Sequence, residues 1–332
     1  MGDRCQRADF DSSSVAEMKT KVRIAVLGPG AIGGLLSALC WRAGHDVLCV
    51  IRAQAAVQLQ ADGLCIESPV YGSFVARPRV AERLQESIDV LFVTLKAPSL
   101  FNALCALDRD CLGAAVVIPL LNGVGHREFL RDQLGQRVAV GTIGLIEAVR
   151  ESSRIIRHHS QGYPHIDLAS DRDVARPWVE SLATVLRDAG LPTSVLRTEA
   201  EVIWRKLARL SAVASSTAAF QLPLGAIRAD FDRRALLEGA ACEAVAVAQR
   251  EGVELDEEQV LAQIKSFPDR LTTSLQRDVG AGRPSEVDAI TGGVIHLAER
   301  YGISVPAHRR LFEMITERIA RVGAIEQVES SS

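Results

Sequence analysis

The sequence predicts an α/β protein in which a doubly wound parallel sheet is followed by an all-helical domain. Through the first half, short apolar runs typical of strands alternate with segments of helical period. This alternation is typical of a parallel sheet that is covered by helices on both faces. From Thr198 onward the apolar residues recur at helical spacing without a convincing strand. We therefore expect two domains that meet near residue 197.

The first domain is predicted at residues 18–197. Its main elements are strands at 22–27, 46–51, 88–94, 114–120 and 138–146, and helices at 31–43, 98–107 and 126–134. Apolar runs at 154–158 and 164–168 indicate smaller strands added to the same sheet. A helix at 176–188 and a last strand at 193–196 complete this domain.

The second domain is predicted at residues 198–325, between an expected disordered leader at 1–17 and a tail at 326–332. Its helices are expected at 199–219, 233–250, 256–265, 284–300 and 309–322. Gly252 and Gly302 are typical helix stops, and Pro284 is typical of a first helical turn.

Composition argues against several classes of partner. The chain has 332 residues, 48% of them hydrophobic, and a net charge of −3. This charge provides no basic field for nucleic acid or an anionic membrane, and no apolar run approaches the ~20 residues of a membrane helix. The first 17 residues lack the apolar core of a signal peptide, and Met18 is an alternative start to Met1. We expect a cytoplasmic protein.

Cysteine and histidine spacing argues against disulfides and metals. The seven cysteines form no C-x-x-C pair, which indicates free thiols in a reducing compartment. Of the seven histidines, His158 and His159 are adjacent on an expected strand, so their rings point to opposite faces. No metal site is expected, and no nucleophile elbow is present.

A glycine-rich turn links the first strand to the first helix. It reads Gly28-Pro29-Gly30-Ala31-Ile32-Gly33. In Gly-x-Gly-x-x-Gly the first glycine allows a tight turn, the second lets the backbone approach a pyrophosphate, and the third lets the helix pack closely on the strand. The pattern predicts a Rossmann-type dinucleotide site for a nicotinamide or flavin cofactor. The alternative is a structural glycine turn.

Three polar residues follow predicted strands, where ligands bind in open α/β sheets. Arg52 follows the second strand, and no Asp or Glu lies between residues 47 and 61, which favours the 2′-phosphate of NADPH over NADH. Lys96 and Asn122 follow two later strands and would face the nicotinamide end of the cleft. The alternatives are a solvated surface arginine, a helix-approach charge and an Asn-Gly turn, respectively.

Two charged residues of the helical half are also candidates. Lys206 lies on the flank of an apolar stripe, where partial desolvation lowers the pKa of an amine and suits it to proton donation. Glu286 lies at an expected helix start, where the helix dipole favours an anion. The alternatives are a snorkelling lysine and a capping acid.

The chain resembles the ketopantoate reductase (2-dehydropantoate 2-reductase) family from about residue 21 to residue 323. The resemblance rests on the glycine turn and on four further motifs, Val93-Thr94-Leu95-Lys96, Leu121-Asn122-Gly123-Val124-Gly125, Trp204-Arg205-Lys206-Leu207 and the stretch from Ser274 to Asp288. It implies that Lys206 donates a proton to a substrate carbonyl while NADPH supplies the hydride. It also implies that Glu286 orients the lysine and the substrate hydroxyl, that Asn122 and Ser274 hold the substrate, and that Lys96 supports the junction of cofactor and substrate. Family precedent adds a possible homodimer.

Three positions depart from the family pattern. Asparagines that the family carries after its catalytic lysine are replaced by Leu210, Ala214 and Leu224. Each lost hydrogen bond to a buried substrate group costs on the order of 1–3 kcal/mol. Nearby Ser211, Ser215, Ser216 and Thr217 compensate only if the helix rotates. We therefore expect a more apolar pocket, with another 2-oxo acid or a related carbonyl compound as the substrate in place of ketopantoate.

The sequence leaves three alternatives open. The first is an authentic 2-dehydropantoate 2-reductase of pantothenate biosynthesis, and the second is a hydroxyacid dehydrogenase that acts in the oxidative direction. The third belongs to another class, a non-catalytic NADPH-binding sensor.

Overall fold

The computed structural model describes residues 21–144, 146–152 and 154–329. Its strands, in chain order, are β1 (Arg23–Leu27), β2 (Asp46–Val50), β3 (Leu64–Ser68), β4 (Gly72–Ala76), β5 (Arg79–Ala81), β6 (Val90–Val93), β7 (Val116–Pro119), β8 (Val140–Gly144), β9 (Ala148–Arg150), β10 (Ile155–His158), β11 (His165–Ala169) and β12 (Thr193–Val195). The predicted leader at 1–17 and Met18 lie outside the described residues.

The helices of the first half are α1 (Ala31–Arg42), α2 (Ala53–Asp62), α3 (Leu100–Ala103), α4 (Arg109–Leu112), α5 (His126–Leu134) and α6 (Arg176–Asp188). Those of the second half are α7 (Glu199–Phe220), α8 (Leu224–Ala229), α9 (Phe231–Arg250), α10 (Glu257–Ser266), α11 (Ser274–Gly280), α12 (Gly293–Tyr301) and α13 (Pro306–Glu329).

The main sheet has five parallel strands in the order β5-β2-β1-β6-β7. Because successive side chains of a strand point to opposite faces, β1 contributes to two separate cores. Ile24 and Val26 pack into the core that contains α1, whereas Ala25 and Leu27 pack into the core on the other face. This arrangement confirms the doubly wound α/β class.

The predicted strands at 154–158 and 164–168 form, but their expected addition to the main sheet is wrong. β10 pairs with β3 in a four-stranded sheet, and β11 lies between β8 and β12 in a three-stranded sheet. The physical reason is the β3–β4 hairpin, which offers β10 a partner away from the main sheet. β7 and the chain just before β8 form an isolated bridge between Val117 and Val138.

The second half is helical, as predicted, and within the described residues no strand follows β12. The central element is α7, whose buried side chains form one core with α8 to α13. Thr198 begins this helix by accepting a hydrogen bond at 3.1 Å from the backbone N–H of Glu201. No helix in the described ranges combines the length and apolar character needed to cross a membrane.

Several helix boundaries differ from the predicted ones. The expected helix at 284–300 becomes helical only at Val287, passes through a π-helical turn (Asp288–Gly292) and continues as α12. Pro284 therefore lies in the connection after α11, where the N–H of Arg283 bonds the carbonyl of Asp278, and its first-turn assignment is wrong. α13 is longer than the predicted 309–322 and extends into the stretch predicted as a tail. The expected helix at 98–107 is broken into short 3-10 and α-helical pieces.

Candidate active site

The glycine turn has the geometry that its sequence predicts. Gly28 has a φ of +76°, and its N–H bonds the carbonyl of Val50 at 3.1 Å, so the turn lies against the end of β2. A Cβ on Gly33 would lie 2.0 Å from Oγ1 of Thr94, whereas a Cβ on Gly30 would meet nothing closer than 4.0 Å. Gly33 therefore allows α1 to pack on the sheet, and Gly30 leaves open space at the helix start.

Two side chains that sequence reasoning did not select support this turn. Thr94 donates its hydroxyl to the carbonyl of Gly28 at 2.9 Å. Arg150, on β9, donates from Nη1 to the carbonyl of Pro29 at 2.6 Å. Arg150 reaches the turn from a different sheet, a long-range pairing for which the sequence carries no local signal.

Arg52 lies two residues after β2, at the edge of the sheet that carries the glycine turn. It is exposed and forms the N-cap of α2. The side chain is therefore accessible at the position where the sequence predicts a contact to the 2′-phosphate of NADPH.

Lys206, Asn122 and Glu286 come together across the two halves of the chain. Lys206 Nζ donates to Oδ1 of Asn122 at 2.7 Å, and Nδ2 of Asn122 donates to Oε2 of Glu286 at 2.9 Å. Because an ammonium only donates and a carboxylate only accepts, these two partners fix the orientation of the Asn122 amide. Asn122 follows β7, so the lysine amine lies at the carboxyl edge of the sheet, as the glycine turn does.

Burial shifts the protonation equilibria of this group. Desolvation lowers the pKa of Lys206 to about 8, although the carboxylate of Glu286 opposes the shift. Burial raises the pKa of Glu286, against the hydrogen bond from Asn122 and the charge of Lys206. His126 is also buried close by, and desolvation lowers its pKa to about 4, so its ring is neutral near pH 7. The surroundings thus favour a lysine that releases its proton readily.

The segment between β7 and α5 docks against the helical half. Val124 N–H bonds the carbonyl of Ala289 at 3.0 Å. Gly123 has a φ of +86°, and a Cβ there would lie 2.1 Å from the same carbonyl oxygen. The Asn-Gly pair is therefore a turn, as the alternative interpretation has it, and its asparagine also binds Lys206.

Lys96 binds a carboxylate of the helical half. Its Nζ lies 2.6 Å from Oδ2 of Asp278, a buried residue of α11 that also accepts from Nε of Arg283 at 3.1 Å. Ser274 is the exposed first residue of α11, one turn before Asp278 and on the same helical face. Neither Asp278 nor Arg283 was selected from the sequence, since each is a common surface residue type.

The three positions that depart from the family pattern are apolar and largely buried. Ala214 and Leu224 are in the helical core, and Leu210 is half-buried one turn after Lys206. The neighbouring hydroxyl groups that were considered as replacements bond elsewhere in the core. Ser211 pairs with His308, Ser215 with Thr291 and Thr217 with Thr273, whereas Ser216 is buried without a hydrogen-bond partner.

The described part of the chain contains no group of three His, Cys, Asp or Glu side chains suited to a metal ion. Its six cysteines are free thiols.

The chain matches known proteins along most of its length. Family models described as "Ketopantoate reductase PanE/ApbA" and "Ketopantoate reductase PanE/ApbA C terminal" match residues 24–170 and 200–318. A 2-dehydropantoate 2-reductase of Salmonella typhimurium is 32% identical over 310 residues, which cover 90% of this chain and 95% of that protein.

Two solved structures have the same fold. A PanE/ApbA family ketopantoate reductase from Ralstonia eutropha JMP134 is 25% identical, with a TM-score of 0.78 over 90% of this chain and 98% of that one. A D-mandelate dehydrogenase with NADH and anilino(oxo)acetate has a TM-score of 0.81 over 90% and 99%, but at 20% identity this likeness shows the fold alone. The family models and the Salmonella relative show that the chain belongs to the ketopantoate reductase family of oxidoreductases.

Proposed function

We propose that this protein reduces a 2-oxo acid to the 2-hydroxy acid with NADPH, and that Lys206 donates the proton. The observation that carries the proposal is the hydrogen bond between Lys206 and Asn122, which holds a proton-donating amine at the carboxyl edge of the sheet. In this proposal residues 18–197 bind the cofactor and residues 198–325 supply the lysine and the substrate contacts.

The glycine turn fits a dinucleotide phosphate. Gly30 is the N-cap of α1 and has no side chain, so no side chain caps the N–H groups of the first helical turn, and a Cβ at Gly30 would meet nothing closer than 4.0 Å. Such a helix start attracts an anion through these N–H groups and the helix dipole. Gly28, Pro29, Gly30, Ala31, Ile32 and Gly33 would hold the pyrophosphate, and the reduced nicotinamide supplies the hydride when the cofactor is bound.

Lys206 and Asn122 carry the proton chemistry. A carbonyl that accepts a hydride becomes an alkoxide, and a nearby ammonium neutralises the negative charge as it develops. Asn122 holds the amine through its side-chain oxygen, while Glu286 holds the amide of Asn122. Lys96 and Ser274 are proposed to contact the cofactor–substrate junction and the substrate.

Arg52 supports NADPH over NADH, because an arginine at this position can bind the 2′-phosphate of NADPH. No carboxylate lies between residues 47 and 61 to bind the ribose hydroxyls of NADH instead. We expect Arg52→Gln to weaken NADPH binding at least about tenfold, while NADH binding is unchanged, since only NADPH carries the 2′-phosphate. Fluorescence titration with both cofactors measures the ratio of the NADPH and NADH affinities in the parent protein and in Arg52→Gln. Equal losses for both cofactors would exclude Arg52 as the source of selectivity.

The substrate is proposed to carry a more apolar side chain than ketopantoate. Leu210, Ala214 and Leu224 offer no hydrogen bonds where family members have asparagines. NADPH oxidation is followed across 2-oxo acids of increasing side-chain size, with ketopantoate included. A kcat/KM for ketopantoate that equals that of the best other substrate would instead support an authentic 2-dehydropantoate 2-reductase, the name of the Salmonella relative.

A non-catalytic NADPH sensor and a dehydrogenase that works in the oxidative direction remain the alternatives. Retention of the Lys206–Asn122–Glu286 group favours an enzyme, because a binding module needs no proton donor. Lys206→Ala separates these classes: an enzyme loses turnover and still binds NADPH, whereas a sensor responds to NADPH as before. Comparing the initial rates of reduction and oxidation at pH 7 tests the direction.

We propose a cytoplasmic location, which the free thiols support, and a homodimer stays a prediction.

A further inference from the structure

A buried carboxylate joins the two halves of the chain close to the candidate active site. Glu199, in the first turn of α7, is only 1% exposed. Its Oε1 accepts from Nη2 of Arg131 at 2.5 Å and from the backbone N–H of Asp171 at 3.0 Å, and its Oε2 accepts from Nη1 of Arg127 at 3.2 Å. In return, the N–H of Glu199 donates to Oδ1 of Asp171 at 3.1 Å.

All three partners of Glu199 belong to the sheet-containing half. Arg127 and Arg131 are one turn apart on α5, so they present one face of this helix to the carboxylate. A second hydrogen bond fixes the orientation of Arg131, because its guanidinium also donates to the carbonyl of Val138 at 2.9 Å. Asp171 follows β11. These residues, with Glu199, are called the α5–α7 clasp below.

The two helices of the clasp carry the two sides of the candidate active site. Asn122 lies four residues before α5 begins, and Lys206 lies seven residues after Glu199 on α7. Seven residues are almost two full turns, so Lys206 and Glu199 share one face of the helix, about 10 Å apart. The clasp therefore holds the lysine-bearing face of α7 against the segment that carries Asn122.

Stability alone gives little reason for such a cluster. Replacing a buried ion pair with apolar side chains of similar volume is often neutral or stabilising, whereas paired charges restrict the allowed geometry. A carboxylate that binds two guanidinium groups and a backbone N–H fixes both the distance and the rotation of α7 relative to α5. A displacement of about 1 Å near reacting groups is enough to slow a reaction roughly a hundredfold.

We propose that Glu199 is a positioning residue that sets the distance between the Lys206 amine and the Asn122 amide by joining α7 to α5. The proposal rests on the proposed function for its effect on turnover, but its effect on the amine is measured without substrate.

The direction of the change in the Lys206 pKa separates positioning from a simple charge effect. The charged groups that act on Lys206 are Glu286, which favours the ammonium, and Arg209, which opposes it, while His126 is neutral. Loss of the Glu199 charge by itself leaves Arg127 and Arg131 uncompensated and lowers the pKa of Lys206 further. Loosening the clasp instead exposes the amine to water and raises its pKa towards 10.5.

The test compares Glu199→Gln with Glu201→Gln. Glu201 is a matched control, because it lies in the same helical turn but pairs with Arg205 of its own helix at 2.7 Å. Labelling with 1-fluoro-2,4-dinitrobenzene, which reacts with the neutral amine, is measured against pH for the peptide that contains Lys206. The chain has only five lysines, and exposed Lys265 serves as the internal reference.

We expect the pH of half-maximal labelling of Lys206 to be near 8 in the parent protein and in Glu201→Gln, and at least one pH unit higher in Glu199→Gln. With the best 2-oxo acid, kcat falls about 10- to 100-fold in Glu199→Gln, while its affinity for NADPH stays at the parent value. Glu201→Gln keeps the parent values of both kcat and NADPH affinity. A labelling pH in Glu199→Gln that is unchanged or lower overturns the proposal. If the parent protein reduces no 2-oxo acid, the proposed function fails and the labelling result still decides the role of Glu199.

Glu199→Asp provides a second variant if Glu199→Gln does not fold. It keeps the charge but shortens the side chain by one methylene, so it cannot hold α5 and the N–H of Asp171 in the same geometry. We expect changes in the same direction but smaller in size. Parent values for both the labelling pH and kcat in folded Glu199→Asp overturn the proposal.

Discussion

The surroundings of Lys206 lower the pKa of its amine, yet the same amine donates a hydrogen bond to Asn122. Burial accounts for the first property, and the side-chain oxygen of the asparagine accounts for the second. A proton donor is most effective when its pKa lies near the working pH, so a pKa of about 8 suits donation near neutrality. The same burial means that the ammonium form of Lys206 destabilises the folded state.

The rate of reduction should fall as pH rises through about 8. Below this pH Lys206 is an ammonium that can donate, and above it the amine has lost the proton, so kcat/KM decreases about tenfold per pH unit. Initial rates of NADPH oxidation between pH 6 and 10 measure the profile, and NADPH affinity over the same range is the control. A profile that is level up to pH 9.5 would contradict proton donation by Lys206.

Lys206→Met should stabilise the protein at pH 7. The folded state lowers the pKa of Lys206 from 10.5 to about 8, so the buried ammonium costs at most roughly 3 kcal/mol. Residual solvent contact and the lost bond to Asn122 reduce the expected net gain to about 1 kcal/mol. Urea unfolding measures it, with exposed Lys265→Met as the matched control.

The pH dependence of this gain has a definite sign. The unfolded chain binds the proton more tightly than the folded one, so the penalty is complete below pH 8 and disappears as pH rises towards 10.5. The advantage of Lys206→Met should therefore shrink between pH 8 and pH 10. An advantage that grows over this range would mean that the amine is not desolvated.

Among the elements, α7 combines the candidate lysine with a buried polar network. Glu243 binds Nδ1 of His308 at 2.9 Å, and Nε2 of His308 lies 3.2 Å from Oγ of Ser211. The order of carboxylate, imidazole and hydroxyl is that of a nucleophilic triad. Ser211 and His308 are fully buried in the helical core, however, so no substrate reaches them. The network links α7, α9 and α13.

Ser211→Ala should therefore lower stability and leave turnover unchanged. Removing the hydroxyl leaves Nε2 of His308 without its partner, which costs about 1–2 kcal/mol. Chemical denaturation and NADPH oxidation measure the two effects, and a fluorophosphonate probe should label no serine. Labelling of Ser211 would show that the network is reachable and reactive.

In the glycine turn, two substitutions should separate cofactor binding from folding. A Cβ on Gly30 enters open space at the start of α1, so Gly30→Ala should lower NADPH affinity and cost only about 1 kcal/mol of stability, because alanine is a poorer N-cap than glycine. A Cβ on Gly33 meets Oγ1 of Thr94, so Gly33→Ala should lose both affinity and about 1–3 kcal/mol of stability. Calorimetric binding and urea unfolding measure the pair. Equal NADPH affinity in Gly30→Ala and the parent would exclude this turn as the phosphate site.

For the whole molecule, the sequence predicts those features that depend on local patterns. The glycine turn, the four main-sheet strands β1, β2, β6 and β7 and the long helices follow from spacing within a few residues, and the structure has them close to where they are expected. α2 and the strands β3 to β5 were not predicted. The separate sheet around β10 was missed because it depends on pairing with β3, about 90 residues earlier in the chain. The sequence places the start of the next helix at residue 284 rather than at Val287. The difference arises because the connection is shaped by the hydrogen bond from Arg283 N–H to the carbonyl of Asp278 at the end of α11, which the local pattern does not reveal.

The candidate site was predictable to a similar extent. Lys206, Asn122 and Glu286 were selected, but not the position of Asn122 between the other two, since a sequence gives no distances. Arg150 and Glu199 were not selected, because each acts through a partner on a distant element. Asp278 lies within the stretch from Ser274 to Asp288 that carries the family resemblance, but it was not selected by itself, because its bond to Lys96 appears only once the chain is folded.

The central claim is that Lys206 delivers a proton to a carbonyl that receives its hydride from a bound nicotinamide. The most direct test uses NADPH with deuterium in both positions at C4, together with the best 2-oxo acid from the substrate panel. Mass spectrometry of the hydroxy acid measures deuterium at C2 for the parent protein and for Lys206→Ala. The parent protein should transfer the label, and Lys206→Ala should bind NADPH with unchanged affinity but transfer the label at least about a hundredfold more slowly. Equal transfer rates in the two proteins, or no transfer by the parent protein to any 2-oxo acid, would contradict the account.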